Sequence, residues 1–148
     1  MRTRIIAKTI VFNDHGKLLV LWRSTSDSHR PGGSDFPGGG VEGGEDVAVG
    51  AVRELAEETG IRIGREDIAL TFTTTKVDYH TEERAEVNMV WLGFVAKFPA
   101  GQKIELSFEH NRYDWLTLEE AAAGCDSVTQ KQFMEYLRDH DVVKDILQ

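Results

Sequence analysis

The stretch Gly39-Gly40-Val41-Glu42-Gly43-Gly44-Glu45 runs into a short segment carrying Glu54, Glu57 and Glu58. Like charges one helical turn apart repel and weaken a helix. On a wheel of ~100° per residue, Ala48, Ala51, Val52 and Leu55 form an apolar stripe. Glu54, Glu57 and Glu58 fall on a neighbouring stripe at i, i+3 and i+4. Three carboxylates in one small volume call for a divalent, oxygen-loving cation, and Mg²⁺ or Mn²⁺ is the natural candidate. The preceding glycines allow close backbone approach to a ligand. Their carbonyls suit a metal, and their N–H groups suit phosphate.

A surface helix with exposed glutamates often shows nothing more than a solvated face. The complete spacing overrides that reading. It runs Gly39, five residues, Glu45, seven residues, Arg53-Glu54-Leu55, one residue, Glu57-Glu58, one residue, Gly60-Ile61. At roughly 5–7% usage per specified residue, a chance match is on the order of one in ten million. The pattern fills every position of the Nudix box, so the chain resembles the Nudix hydrolase family. Its usual lead-in, Phe36-Pro37-Gly38, is present too.

The resemblance implies an α/β/α sandwich around a mixed sheet. It also implies Mg²⁺-dependent attack of water on phosphorus in a nucleoside triphosphate or a nucleoside diphosphate linked to another group. Carried onto this chain, Glu54, Glu57 and Glu58 match the metal-binding carboxylates, and Gly39 the glycine whose carbonyl joins them. Arg53 matches the arginine that orients a glutamate, and Glu45 the glutamate that supports the loop. Glu54 or Glu57 is the expected proton acceptor within the box. Glu109, in "LSFEHNRYDWL", is an expected further metal ligand or base. His110 beside it reads as structural or solvent-facing.

For the substrate, Arg23, His29 and Arg30 are candidates to meet phosphate or a base edge. Phe36, Tyr79 and Trp91 are candidate aromatic platforms, with Trp91 and Trp115 reading more readily as core. Many relatives carry Trp where this chain has Ser34. The lead-in segment is similar to that of 8-oxo-dGTP-cleaving members, whereas "EHNRYDWL" and the terminal helix also resemble members acting on pteridine triphosphates or dinucleoside polyphosphates; ADP-ribose stays open. Two other readings compete. A nucleotide sensor that does not cleave would be expected to lose a box carboxylate, and none is lost. An isoprenoid diphosphate isomerase would be expected to use an early cysteine, and the sole cysteine is Cys125.

The elements that must position these groups follow from pattern. The 148 residues suit one domain spanning 1–148. "IIAKTIVF" and "KLLVLWR" flank "NDHG" as a hairpin. Residues 24–40 read as a long surface loop, 45–59 as a helix stopped by Gly60, and 68–80 and 86–98 as strands around a polar tip. Residues 113–117 read as a short strand or turn, 117–124 as a helix capped by Thr117 with Glu120, and 129–147 as an amphipathic terminal helix.

The net charge of −8 disfavours nucleic acid as a partner. One cysteine excludes a disulfide within the chain and fits a reducing compartment. The N-terminal apolar run, broken by Lys8, is too short for a signal or membrane span. A cytoplasmic protein with a small-molecule partner is expected, with a homodimer compatible with the apolar stripes of the last helix or of strand 86–98.

Overall fold

The computed structural model describes residues 1–26 and 31–146. The strands are β1 (Arg2–Phe12), β2 (Leu18–Arg23), β3 (Ser34–Asp35), β4 (Gly38–Gly40), β5 (Ile68–His80), β6 (Ala85–Lys97) and β7 (His110–Leu116). The helices are α1 (Val47–Thr59), α2 (Leu118–Ala123), α3 (Val128–Asp139) and α4 (Val142–Ile146), with a 3₁₀ turn at Arg65–Asp67. The seven strands form a mixed sheet. β1 and β6 run parallel along their whole length, from Arg2↔Val87 to Phe12↔Lys97, and the other pairings are antiparallel.

Strand alternation sorts side chains onto two faces. Ile10, Phe12, Leu18, Val20, Trp91 and Val95 pack with Phe133, Met134 and Leu137 of α3. Ala7, Leu92, Phe94 and Ala96 pack with Ala51 of α1, while Val11, Leu19 and Leu21 surround Leu55. Helices on both faces make the α/β/α sandwich that the sequence predicts. The wheel is also right about α1: Ala51 and Leu55 are fully buried and Ala48 and Val52 pack at the margin.

The expected hairpin forms, but its strands pair only where they meet, at Phe12↔Leu18. Beyond that point β1 and β2 diverge, and residues 34–40 fill the fork. β3 pairs with β2 through Leu21↔Asp35 and Trp22↔Ser34. β4 pairs with β1 through Ile6↔Gly40, Ala7↔Gly39 and Lys8↔Gly38. The second half of the expected surface loop is therefore interior, with Ser34, Asp35 and Phe36 buried. Gly38 is required by this wedge. Its φ is +148°, and a Cβ there would lie 2.0 Å from the Ala7 carbonyl oxygen.

The terminal helix is not continuous. α3 ends at Asp139, and Asp141 turns the chain through a φ of +50° before α4 starts. Asp tolerates that left-handed conformation better than most residues. The His140 ring stacks on Tyr136 and bonds its carbonyl, which closes the helix end. Among the described residues, no helix is long and apolar enough to cross a membrane.

Candidate active site

The box carboxylates are placed by α1. Asp46 caps the helix, accepting from the Ala48 and Val49 N–H groups, and Gly60 terminates it in the left-handed region. From that frame the three glutamates reach different depths. Glu58 is buried, Glu54 is partly buried, and Glu57 is exposed. β4 lies against Glu54 and Glu58. A Cβ on Gly39 would sit 2.9 Å from the Glu54 carboxylate, so any larger residue would displace that side chain from its present place. The Gly38 N–H donates to both Glu58 oxygens at 3.4 Å.

Arg53 ties the cluster together. It donates through Nε and Nη2 to the two Glu45 oxygens at 2.8 and 3.0 Å. It also reaches the Gly40 carbonyl at 3.2 Å, Glu54 at 3.2 Å and Glu57 at 3.2 Å. This fork is a geometry that lysine would not reproduce. Hydrogen bonding from Arg53 lowers the Glu45 carboxyl to about 2, assisted by the Glu42 N–H. Glu45 thus stays ionised and holds the glycine loop to the helix.

Glu58 is the opposite case. Burial pushes its carboxyl up to about 8, despite the nearby Lys8 ammonium, and the Asp35 charge adds to the rise. Burial likewise raises Glu54, with Arg53 opposing it. Burial thus disfavours the charged forms of Glu58 and Glu54, and a divalent cation beside them would offset that cost. The donor set fits too: carboxylate oxygens and the carbonyls of β4 are hard ligands suited to Mg²⁺ or Mn²⁺.

Glu109 and His110 come to this place through the segment before β7. The Glu105 N–H donates to the Thr59 carbonyl at 2.7 Å and the Ser107 N–H to the Glu58 carbonyl at 3.0 Å. The Ser24 N–H bonds the Glu109 carbonyl at 2.9 Å. The segment is thereby pinned to the end of α1 and the end of β2. Donor atoms of Glu58, Glu109 and His110 lie within 4.8 Å of one another.

Beside the carboxylates lies a second assembly that the sequence analysis did not identify. Asp35 is buried at its centre. Its Oδ1 accepts from Lys8 Nζ at 3.1 Å, Gln130 Nε2 at 2.9 Å and the Phe36 N–H at 3.0 Å. Its Oδ2 meets Arg23 Nη2 at 3.0 Å and His110 Nε2 at 3.1 Å. Burial alone would raise the Asp35 carboxyl, but Lys8, the His110 hydrogen bond and Arg23 together hold it well below the usual range. Lys8 also donates to the Phe36 and Gly38 carbonyls. It was readable in one respect: a lysine inside an apolar strand, buried by its neighbours, needs an anionic partner.

A cleft of about 480 Å³ opens against these groups, within the range of small-molecule sites. Glu109, Asp35 and the three β4 glycines form one end, and Arg4, Lys76, Tyr79, Met89 and Trp91 line the rest. Arg23 reaches this cleft while paired to Asp35. Trp91 sits between the core and the cleft. It is largely buried against Phe72 and Phe133, yet contributes to the wall. Trp115 packs edge-on against Phe98. Phe36 departs from expectation: its ring is 2% exposed and belongs to the core facing α3, so it does not face a substrate. The wedge between β1 and β2 carries it inward. His110 is interior, not solvent-facing. His29 and Arg30 lie outside the described residues.

A Nudix domain family model matches residues 2–137. The chain belongs to the Nudix family. It is 36% identical over 85 residues to the asymmetrical bis(5'-nucleosyl)-tetraphosphatase of Mus musculus, covering 57% of this chain and 56% of that protein. It is 38% identical over 61 residues to the 8-oxo-dGTP diphosphatase of Escherichia coli K12, covering 41% and 46%. The matched stretch thus spans about half the length of these curated relatives. Among solved structures, the MutT protein of Methanosarcina mazei Go1 superposes with a TM-score of 0.72 at 26% identity, covering 94% of this chain and 96% of that one. A Listeria monocytogenes putative Nudix hydrolase shares the fold, with a TM-score of 0.75 at 19% identity over 95% and 96%.

Proposed function

We propose that this chain is a divalent-metal-dependent pyrophosphohydrolase. Its substrate is a nucleoside triphosphate or a nucleoside diphosphate linked to another group. The observation that carries this reading is the grouping of Glu58 with Glu109 and His110, donor atoms within 4.8 Å of one another, beside a glycine strand that meets Glu54 at Gly39 and Glu58 at Gly38 and lines, with Glu109, one end of a cleft of about 480 Å³. The relatives named for a bis(5'-nucleosyl)-tetraphosphate and for 8-oxo-dGTP support the phosphoanhydride class. We take residues 1–148 as one catalytic domain acting in the cytoplasm on a small molecule, with no nucleic-acid partner.

Glu54, Glu57, Glu58, Glu109 and the Gly39 carbonyl would hold Mg²⁺ or Mn²⁺. Such a cation neutralises polyphosphate charge and lowers the pKa of bound water. The protein's own groups do the rest. Arg53 fixes Glu54 and Glu57 against the glycine strand. Glu54 is the proton acceptor. A carboxylate positioned beside the attacking water can take its proton, and Arg53 engages Oε1 of Glu54 at 3.2 Å and so fixes the side chain. As water oxygen bonds phosphorus, its proton passes to Glu54 and the anhydride P–O bond breaks. Arg23, Arg4 and Lys76 lie along the cleft to meet phosphate oxygens, and Trp91, Met89 and Tyr79 offer an apolar wall to the base.

The test is product analysis with Mg²⁺ across normal and oxidised nucleoside triphosphates, ADP-ribose, dinucleoside polyphosphates and dihydroneopterin triphosphate. Release of a nucleoside monophosphate with pyrophosphate or a second phosphorylated product from one of them is expected. Metal-dependent binding with no turnover anywhere in the panel would replace the enzyme by a nucleotide sensor.

A further inference from the structure

Among the described residues, His110 is the only histidine in the interior, with its side chain 1% exposed. Its two nitrogens have different surroundings. Nε2 lies 3.1 Å from Asp35 Oδ2. That carboxylate already accepts from Lys8, Gln130 and the Phe36 N–H and pairs with Arg23. It therefore acts as an acceptor, and Nε2 carries the hydrogen. In the neutral ring the lone pair is then on Nδ1. That atom is buried and makes no hydrogen bond among the described residues. It faces Glu58 Oε2 at 3.9 Å, and its donor position groups with those of Glu58 and Glu109 within 4.8 Å. A carboxylate that fixes one imidazole nitrogen so that the other meets a cation is a recurrent arrangement in metal proteins. A buried, unpartnered acceptor costs free energy, and a cation shared with Glu58 and Glu109 removes that cost.

We infer that His110 Nδ1 is a direct ligand of the divalent cation, with Asp35 as the group that orients it, and that this nitrogen selects Mn²⁺ over Mg²⁺. Imidazole suits transition ions, while Mg²⁺ demands oxygen. The inference rests on the metal-dependent reading above and adds a ligand and a metal preference to it.

The experiment is pulsed electron paramagnetic resonance of Mn²⁺ added to the full-length protein, beside calorimetric titration with Mn²⁺ and with Mg²⁺. The expected spectrum shows nuclear modulation from a directly bound imidazole nitrogen, which changes when histidine is labelled with ¹⁵N. His110→Gln should abolish that modulation and weaken Mn²⁺ binding about 10–100-fold, with a smaller loss for Mg²⁺. The wild-type spectrum decides the matter even if the variant fails to fold. Mn²⁺ bound without nitrogen modulation, or with modulation that survives in His110→Gln, overturns the inference and leaves the hydrolase reading standing. Failure of both ions to bind overturns the metal-dependent reading, and the inference with it.

Discussion

The two halves of the site are built by different means. Glu54, Glu57 and Glu58 come from two turns of one helix, and their common direction follows from helical geometry. Lys8, Asp35, His110 and Gln130 come from β1, β3, β7 and α3, and they meet only because the sheet forks and refills. The first half is open at Glu57 and carries excess negative charge. The second is buried beside the cleft, and its central carboxylate is paired with the Lys8 and Arg23 charges. The contrast implies a division of labour. The helix supplies chemistry that depends on an added cation, whereas the buried assembly holds the glycine strand and His110 in place.

That division is broken most directly at Glu54. Glu54→Gln keeps the shape of the side chain and removes the proton acceptor, so turnover should fall about 10²–10⁴-fold. Circular dichroism and the melting temperature should stay near wild type. A steady-state assay giving wild-type turnover would remove Glu54 from the role of base.

Asp35→Ala attacks the other half. Lys8, Arg23 and His110 would lose their shared acceptor inside the protein. Breaking a buried pair from one side costs about 3–5 kcal/mol, to be read from a chemical melt. A loss below about 1 kcal/mol would mean that Asp35 does not organise the fork. Leu55→Ala sharpens the distinction. Its side chain is fully buried on the apolar stripe of α1 that neighbours the carboxylates, and its truncation should cost about 2–5 kcal/mol in the same melt. Its residual folded fraction should retain metal affinity. Loss of metal binding at full folding would show that the helix faces are not separable.

The same contrast explains what could be read from sequence. The box, the Gly60 stop of its helix and the Thr117–Glu120 capping box are local patterns, and each is where its spacing puts it; the helix itself starts at Val47, after Asp46 caps it, two residues later than the expected start at 45. The long strands β1, β2, β5 and β6 are local too, as apolar and β-branched runs, whereas β3 and β4 lie in the stretch that reads as a loop. Asp35 and His110 have no such pattern. Each is a common residue type in a polar stretch, and its burial depends on which strands pair. Phe36 was misplaced for the same reason. Nothing near it in sequence says that its segment enters the fork, so an aromatic ring in a glycine-rich loop looks available to a ligand. The break at Asp141 depends on one backbone conformation, which an amphipathic pattern running through it does not report.

The smallest effect is a slope with pH, and it separates the halves by sign. For Glu58 the folded-state value of about 8 stands above an unfolded value near 4.5. Between those limits the folded protein binds the extra proton. Stability from this group is complete below about 4.5 and is lost as pH rises through about 8. Asp35 runs the other way. Its folded value is depressed, so its contribution is present above the ordinary carboxylate range, near 3.8, and is lost as pH falls below it. In chelator-treated protein, Glu58→Gln should gain stability relative to wild type as pH rises from about 5 to about 8, because the variant has no charge to bury. Adding Mn²⁺ or Mg²⁺ should reverse the order at the upper end, since only the wild type keeps the full set of ligands. Parallel stability curves for the two proteins without metal would mean that Glu58 is already neutralised by Lys8, and that the carboxylate half needs no cation to fold comfortably.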